Sequence, residues 1–215
     1  MCVCGNHDVG NRPTKDTIAN YQSTFGDDYF SFWHRGVQFI VLNSQLYEDC
    51  SLTKDLALAQ DNWLGNITVL LQSRRKMFKY HYSCQHFKQI TLTICSSYFL
   101  DIELSKSAKH KMVFQHIPWF LKTPEEPKQY FNIEIDLRKK MLNKFKNSNV
   151  NKIFCGHYHR NAGGWDGPSL ELVVTSAIGC QIGKDPHGMR IVKVHENSVT
   201  HEYHSLEDCP TKIIL

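Results

Sequence analysis

The chain has 215 residues, of which 41% are hydrophobic, 12% aromatic and 21% charged, so it is long enough for one domain with a sizeable core and is not intrinsically disordered. Its 25 basic and 21 acidic residues give a net charge of +4 with the basic residues scattered, and we expect no nucleic-acid partner. No apolar run approaches the roughly 18 residues of a membrane span, and we expect no membrane partner. The chain opens without a charged region followed by an apolar run, so we expect a cytoplasmic protein.

The predicted elements alternate along the chain. In order, they are a strand at 3–4, a helix at 14–25, a strand at 37–42, a helix at 53–64, a strand at 112–115, a helix at 135–147, and strands at 153–155, 172–174, 189–194 and 199–203. The strand runs are nearly continuous in β-branched and aromatic residues, which is typical of strands buried on both faces. Strands that alternate with helices predict an α/β layered domain. The turn at 196–198 predicts a hairpin between the last two strands, and we interpret that hairpin as part of a mixed sheet.

One segment does not follow this alternation. Residues 65–110 show no clear period, although residues 90–94 are rich in β-branched side chains. That run is compatible with a strand or with a poorly ordered stretch, since long segments without firm structure are unusual inside a compact domain. We therefore predict a single domain over residues 1–209 with an atypical insert at about 65–110, followed by a tail at 210–215.

Three polar clusters contain the side chains best suited to chemistry. They are Gly5-Asn6-His7-Asp8, His116 and Gly156-His157-Tyr158-His159, and each follows a predicted strand. The carboxyl ends of strands in an α/β sheet gather into one crevice, so we expect the clusters to converge. We also expect the glycine before each polar group to let the backbone turn sharply. Neutral imidazoles with an amide oxygen suit a metal such as Zn, Fe or Mn.

Each cluster on its own has an ordinary structural interpretation. Asn6-His7-Asp8 is compatible with a polar turn, and His116 with a hydrogen-bonded histidine at the end of a strand. Gly-His-x-His is moderately specific for a metal site. The three clusters together, in this order, are much more informative than any one of them.

This order resembles the calcineurin-like metallophosphoesterase superfamily, whose pattern includes G-N-H-D/E, a lone histidine and G-H-x-H. The resemblance covers roughly residues 1–64 and 111–209. It implies a layered α/β fold with a central mixed β-sandwich flanked by helices. It also implies a phosphoric monoester hydrolase with two divalent metal ions (Mn, Fe or Zn), in which a metal-bound hydroxide attacks phosphorus. The implied function is that of a protein serine/threonine phosphatase with a phosphoprotein substrate.

The resemblance assigns roles by motif position. It implies two metal sites, one held by Asn6, His116 and His157 and the other by His159. His7 would act on the leaving oxygen as general acid or transition-state stabiliser, with Asp8 beside it as a second catalytic residue.

The chain also departs from the family pattern. That pattern begins with D-x-H and G-D-x-x-D/N, and only four residues precede Gly5. We therefore expect an N-terminally truncated domain in which one metal site keeps three ligands and the other keeps only His159. Because a bridging aspartate balances the charge of two cations, its loss leads to an alternative hypothesis. Under this hypothesis, the chain is a catalytically impaired isoform that acts as a non-enzymatic or interaction fragment. The sequence favours no particular oligomeric state.

Overall fold

The computed structural model describes residues 1–77 and 108–213, with side chains described through residue 67 in the first range. The helices are α1 (Asn6–Val9), α2 (Lys15–Phe25), α3 (Gln45–Glu48), α4 (Lys54–Met77) and α5 (Ile135–Asn147). The strands are β1 (Phe30–His34), β2 (Val37–Val41), β3 (His110–Phe114), β4 (Lys152–Cys155), β5 (Ala162–Asp166), β6 (Leu170–Val174), β7 (Gly188–Val194) and β8 (Val199–Ser205).

Six strands form one mixed sheet in the order β1-β2-β3-β4-β6-β5. The inner strands β2, β3, β4 and β6 are parallel, and β1 and β5 run antiparallel along the two edges. All four residues of β4 are buried, as expected for a parallel strand covered on both faces. The ends of the parallel strands therefore lie along one edge of the sheet.

The sheet is covered differently on its two faces. On one face, Leu64 from α4 and Met141 and Phe145 from α5 pack in the same core as Val113 and Ile153. Each fully buried side chain of this kind contributes roughly 1.5–3 kcal/mol to stability.

The second face is covered by the β7–β8 hairpin, which forms its own two-stranded sheet. Val192 and Val199 of the hairpin pack against a second apolar cluster that includes Met112 and Phe154. The predicted α/β fold, a central mixed β-sandwich flanked by helices, is confirmed. Among residues 1–77 and 108–213, the helices lack the length and hydropathy that a membrane span requires.

Two local predictions are wrong. Residues 3–4 form no strand, because Cys4 packs with Val9, Ile18 and Tyr21 of α1 and α2 instead of joining the sheet. The hairpin does not make the main sheet mixed, since the antiparallel edge strands β1 and β5 do so. Helix α4 continues beyond the predicted end at residue 64, to Met77. The rest of the predicted insert, including the run at 90–94, lies outside the described residues.

Candidate metal centre

The first polar cluster forms the short helix α1. The Asp8 carboxylate accepts the Gly5 N–H at 2.8 Å and closes the first turn. At the other end, the Val9 carbonyl accepts the Thr17 hydroxyl of α2 at 2.8 Å, and the Val9 side chain is buried. A helix of one turn is unstable by itself, so these contacts determine where Asn6 points.

Gly5 is needed for space. A Cβ atom on Gly5 would lie 3.0 Å from three ring atoms of His116, so the imidazole packs directly against the Gly5 backbone. Gly5 has a φ of −125°, which any residue adopts. The expectation that this glycine permits a sharp turn is therefore wrong, and close approach of the His116 ring is the reason for glycine here.

The ends of three parallel strands surround His116. The residue after it, Ile117, donates its N–H to the Ser44 hydroxyl at 2.8 Å, and Ser44 follows β2. The His116 carbonyl accepts the Gly156 N–H at 3.1 Å, and Gly156 follows β4. Ser44 was not among the predicted site residues. Its only signal was its position directly after a buried strand.

The third cluster contains two strained residues. His157 and His159 adopt left-handed backbone conformations, with φ of 63° and 54°. Such conformations are uncommon outside glycine and tend to occur at functional sites. The His159 carbonyl accepts the Ser176 hydroxyl at 3.1 Å and the Ile182 N–H at 2.9 Å, which helps to keep the loop in this conformation. The predicted turn at Gly156 is thus made by the histidines themselves.

Side chains from the three clusters meet at one point. His116 Nε2 lies 2.9 Å from Asn6 Oδ1 and 3.1 Å from His157 Nδ1. Three potential metal-donor atoms from distant parts of the chain therefore lie side by side.

Burial favours the neutral form of both central imidazoles. Burial, together with the charges of His157, His159 and His7, lowers the pKa of His116 to about 3. Burial also lowers the pKa of His157, although a hydrogen bond with the Tyr130 backbone opposes this; the charges of His159, His7 and Lys128 act in the same direction as burial. A neutral imidazole is the form that binds metals. The influence of His7 and His159 on both rings indicates that the four histidines share one region.

The His157 ring has two partners. Its Nδ1 lies 3.1 Å from His116 Nε2, and the ring also hydrogen-bonds with the Tyr130 backbone. A histidine that binds a metal through one nitrogen commonly donates its other N–H to a backbone carbonyl or a carboxylate.

The donor set fits a divalent transition metal. Two imidazole nitrogens and an amide oxygen suit Zn, Fe or Mn. Within residues 1–77 and 108–213, no group of three or more His, Cys, Asp or Glu side chains is placed to hold a metal ion. The third donor atom in this cluster is the amide oxygen of Asn6.

The remaining predicted residues have other contacts. The His159 ring hydrogen-bonds through Nδ1 with the Cys180 carbonyl, and it does not join the contacts around His116. His7 is exposed on α1, next to Asn6. The Asp8 carboxylate is engaged in capping α1. The structure thus brings Asn6, His116 and His157 into contact and places His7 and His159 around them.

Comparisons with known proteins agree with the resemblance seen in the sequence. No family model matches the chain. Serine/threonine-protein phosphatase CPPED1 of Homo sapiens is 43% identical over 213 residues, covering 99% of this chain and 57% of that protein. The CPPED1 phosphatase of Danio rerio is 42% identical over 206 residues, covering 95% of this chain and 56% of that protein.

A solved dimetal phosphatase from Danio rerio matches 74% of this chain and 56% of its own, with 9% identity and a TM-score of 0.38. The predicted resemblance rests on the sequence relatives, which align with nearly all of this chain. It is confirmed: the chain is similar to the CPPED1 serine/threonine phosphatases over nearly all of its length, and it spans a little over half of theirs.

Proposed function

We propose that the chain is a metal-dependent phosphoric monoester hydrolase that acts on phosphoserine or phosphothreonine in proteins. The observation that carries this proposal is the meeting of Asn6 Oδ1, His116 Nε2 and His157 Nδ1 at spacings of 2.9 and 3.1 Å. The CPPED1 relatives are named serine/threonine phosphatases, and their similarity supports the same reaction and a phosphoprotein substrate.

In this proposal, Asn6, His116 and His157 hold a divalent Mn, Fe or Zn ion, and His159 serves a second one. When bound, such an ion polarises phosphoryl oxygens and lowers the pKa of water. The protein contributes two rings that burial keeps neutral, so protons compete weakly for the ligand nitrogens. A hydrogen bond with the Tyr130 backbone supports the orientation of the His157 ring.

His7 is the proposed general acid. It is exposed on α1, and its charge acts on both His116 and His157. At that position an imidazolium can give its proton to the departing serine or threonine oxygen, or stabilise the charge that develops there. Asp8 supports this role by capping α1 at Gly5, which keeps the following residues in place.

The test measures phosphate release by the purified full chain, from p-nitrophenyl phosphate and a phosphoserine peptide, with Mn²⁺, Fe²⁺ or Zn²⁺. His7→Ala should lower kcat by at least about 100-fold, the lower range for loss of an acid–base group. His34→Ala, an exposed histidine on β1, is the matched control and should leave kcat unchanged. Equal rates for wild type and His7→Ala, or no metal-dependent release by wild type, would contradict the proposal in favour of a non-enzymatic fragment.

A further inference from the structure

An exposed aromatic ring lies beside the candidate centre. Tyr130 is 60% exposed, yet its ring centroid is 5.2 Å from that of His157. Its neighbour Phe131 packs against the main core and contacts the same histidine ring at 5.6 Å. Phe131 therefore anchors the loop, while Tyr130 presents a large ring to solvent next to a proposed metal ligand.

The loop that carries Tyr130 is held by an unusual number of polar contacts. One carboxylate, that of Glu126, accepts four N–H groups, from Leu121 at 2.7 Å, Lys122 at 2.8 Å, Thr123 at 3.3 Å and the Asn132 side chain at 2.7 Å. Below the loop, Arg138 is fully buried and donates to three carbonyls, those of Pro124, Glu126 and Ile133. A buried charge is costly unless it is fully hydrogen-bonded, so this loop is built to a defined shape.

A second loop brings apolar side chains to the other proposed ligand. Ile178 is 59% exposed and Ile182 is 42% exposed. The Ile182 N–H donates to the His159 carbonyl at 2.9 Å, and the Cys180 carbonyl contacts the His159 ring. Exposed apolar side chains thus occur on both loops that hold the histidines of the third cluster.

We propose that Tyr130, with Ile178 and Ile182, forms a docking rim for the peptide segment around a phosphorylated serine or threonine and selects apolar residues beside it. This inference rests on the proposed function, because the phosphate supplies the anchor at the metal centre. The centre has neutral donors, and with a cation bound it is positively charged, which complements a phosphate dianion. The apolar side chains of Tyr130, Ile178 and Ile182 then favour an apolar neighbour over a charged one.

The charges near Tyr130 support this choice of occupant. Lys128, two residues before it, is 2.6 Å from the Glu48 carboxylate and also donates to the Asn132 carbonyl. It is therefore already paired and offers little to an acidic residue of the substrate. Burial of an apolar residue against a tyrosine ring is, in contrast, the kind of contact that dominates protein recognition.

The test uses two fluorescent peptides in which a non-hydrolysable phosphonate replaces phosphoserine, one with leucine and one with aspartate on each side. Binding to the full chain is followed by fluorescence anisotropy with Mn²⁺ present. Tyr130→Ala should weaken binding of the leucine peptide about tenfold, a typical loss for an aromatic contact residue. Tyr130→Phe should stay within about twofold, since the ring remains. Ile182→Ser should weaken the same peptide by a few fold.

The aspartate peptide, and competition by inorganic phosphate, should be unchanged in Tyr130→Ala. Phe25→Ala is the matched control, because Phe25 is 55% exposed at the end of α2. Equal loss for both peptides, no loss for the leucine peptide, or no peptide binding by wild type would overturn the docking rim. If wild type releases no phosphate from any substrate but binds the leucine peptide through Tyr130, the hydrolase proposal fails and the docking rim stands.

Discussion

His157 and His159 lie two residues apart on one loop and share a left-handed backbone, but their rings have different partners. His157 is buried, directs Nδ1 at His116 and makes a hydrogen bond with the Tyr130 backbone. His159 directs Nδ1 at the Cys180 carbonyl. The difference shows that short spacing brings two histidines to one region, while the surrounding strands and loops decide whether a ring nitrogen joins a donor set.

The largest expected effect tests this difference directly. His116→Ala and His157→Ala should each lower the affinity for Zn²⁺ or Mn²⁺ by more than about 100-fold, because even residues that only support a ligand cost roughly 10- to 100-fold. His159→Ala should leave the metal affinity of the site formed by Asn6, His116 and His157 nearly unchanged. Competition with a chromogenic chelator measures all three. Equal losses at His157 and His159 would show that both rings serve the same cation.

A smaller effect on metal affinity is expected from substitutions at Gly5 and Gly156, which both lie near the His116 ring in space. A Cβ at Gly5 would lie 3.0 Å from the His116 ring, whereas one at Gly156 would lie 3.8 Å from it, an ordinary contact. Neither glycine has a positive φ, so the two substitutions differ mainly in space. Gly5→Ala should displace the ring and lower metal affinity about tenfold, the lower range for a supporting residue. Gly156→Ala should retain wild-type affinity in the same chelator assay.

The smallest expected effect is on the free energy of unfolding, and it comes from Glu126 in the loop that carries Tyr130. Burial of the Glu126 carboxyl tends to raise its pKa, but hydrogen bonds from Asn132 and from the backbone of residues 121–123 outweigh burial and lower it. A carboxyl with a lowered pKa stabilises the folded state above its unfolded pKa of 4.5, and that stability is lost as the pH falls through the folded value. Glu126→Gln should therefore cost about 1–2 kcal/mol at pH 7, since charged hydrogen bonds are lost.

Urea unfolding at pH 7 and at pH 3.5 measures this cost. The difference in unfolding free energy between wild type and Glu126→Gln should narrow at the lower pH. This pH lies below the unfolded pKa of 4.5, so protonation of the unfolded carboxyl reduces the stabilisation. Glu125→Gln, an exposed neighbour, is the control and should change little at either pH. A gap that does not depend on pH would mean that the Glu126 charge does not stabilise the loop.

The accuracy of the sequence predictions depended on the length of the pattern. Helix α5 was predicted at 135–147 and observed at Ile135–Asn147, because an apolar face repeats over several turns. The strand predicted at 3–4 was wrong, since two apolar residues cannot distinguish a strand from a segment packed against helices. The role of glycine was also misjudged at Gly5, because a missing Cβ serves space as well as backbone freedom.

The sequence by itself determined the alternation of strands and helices and the three polar clusters, because apolar periodicity and motif order are local properties of the chain. Tertiary structure alone decided which atoms meet. Asn6 and His116 are 110 positions apart, yet their side chains come within 2.9 Å. Helix α1 is fixed by its contact with α2, and the segment after β3 is fixed by the Ser44 hydroxyl. The His116 ring can approach α1 because Gly5 has no Cβ. Those contacts depend on packing between distant segments, and no local pattern encodes the direction of a ring nitrogen.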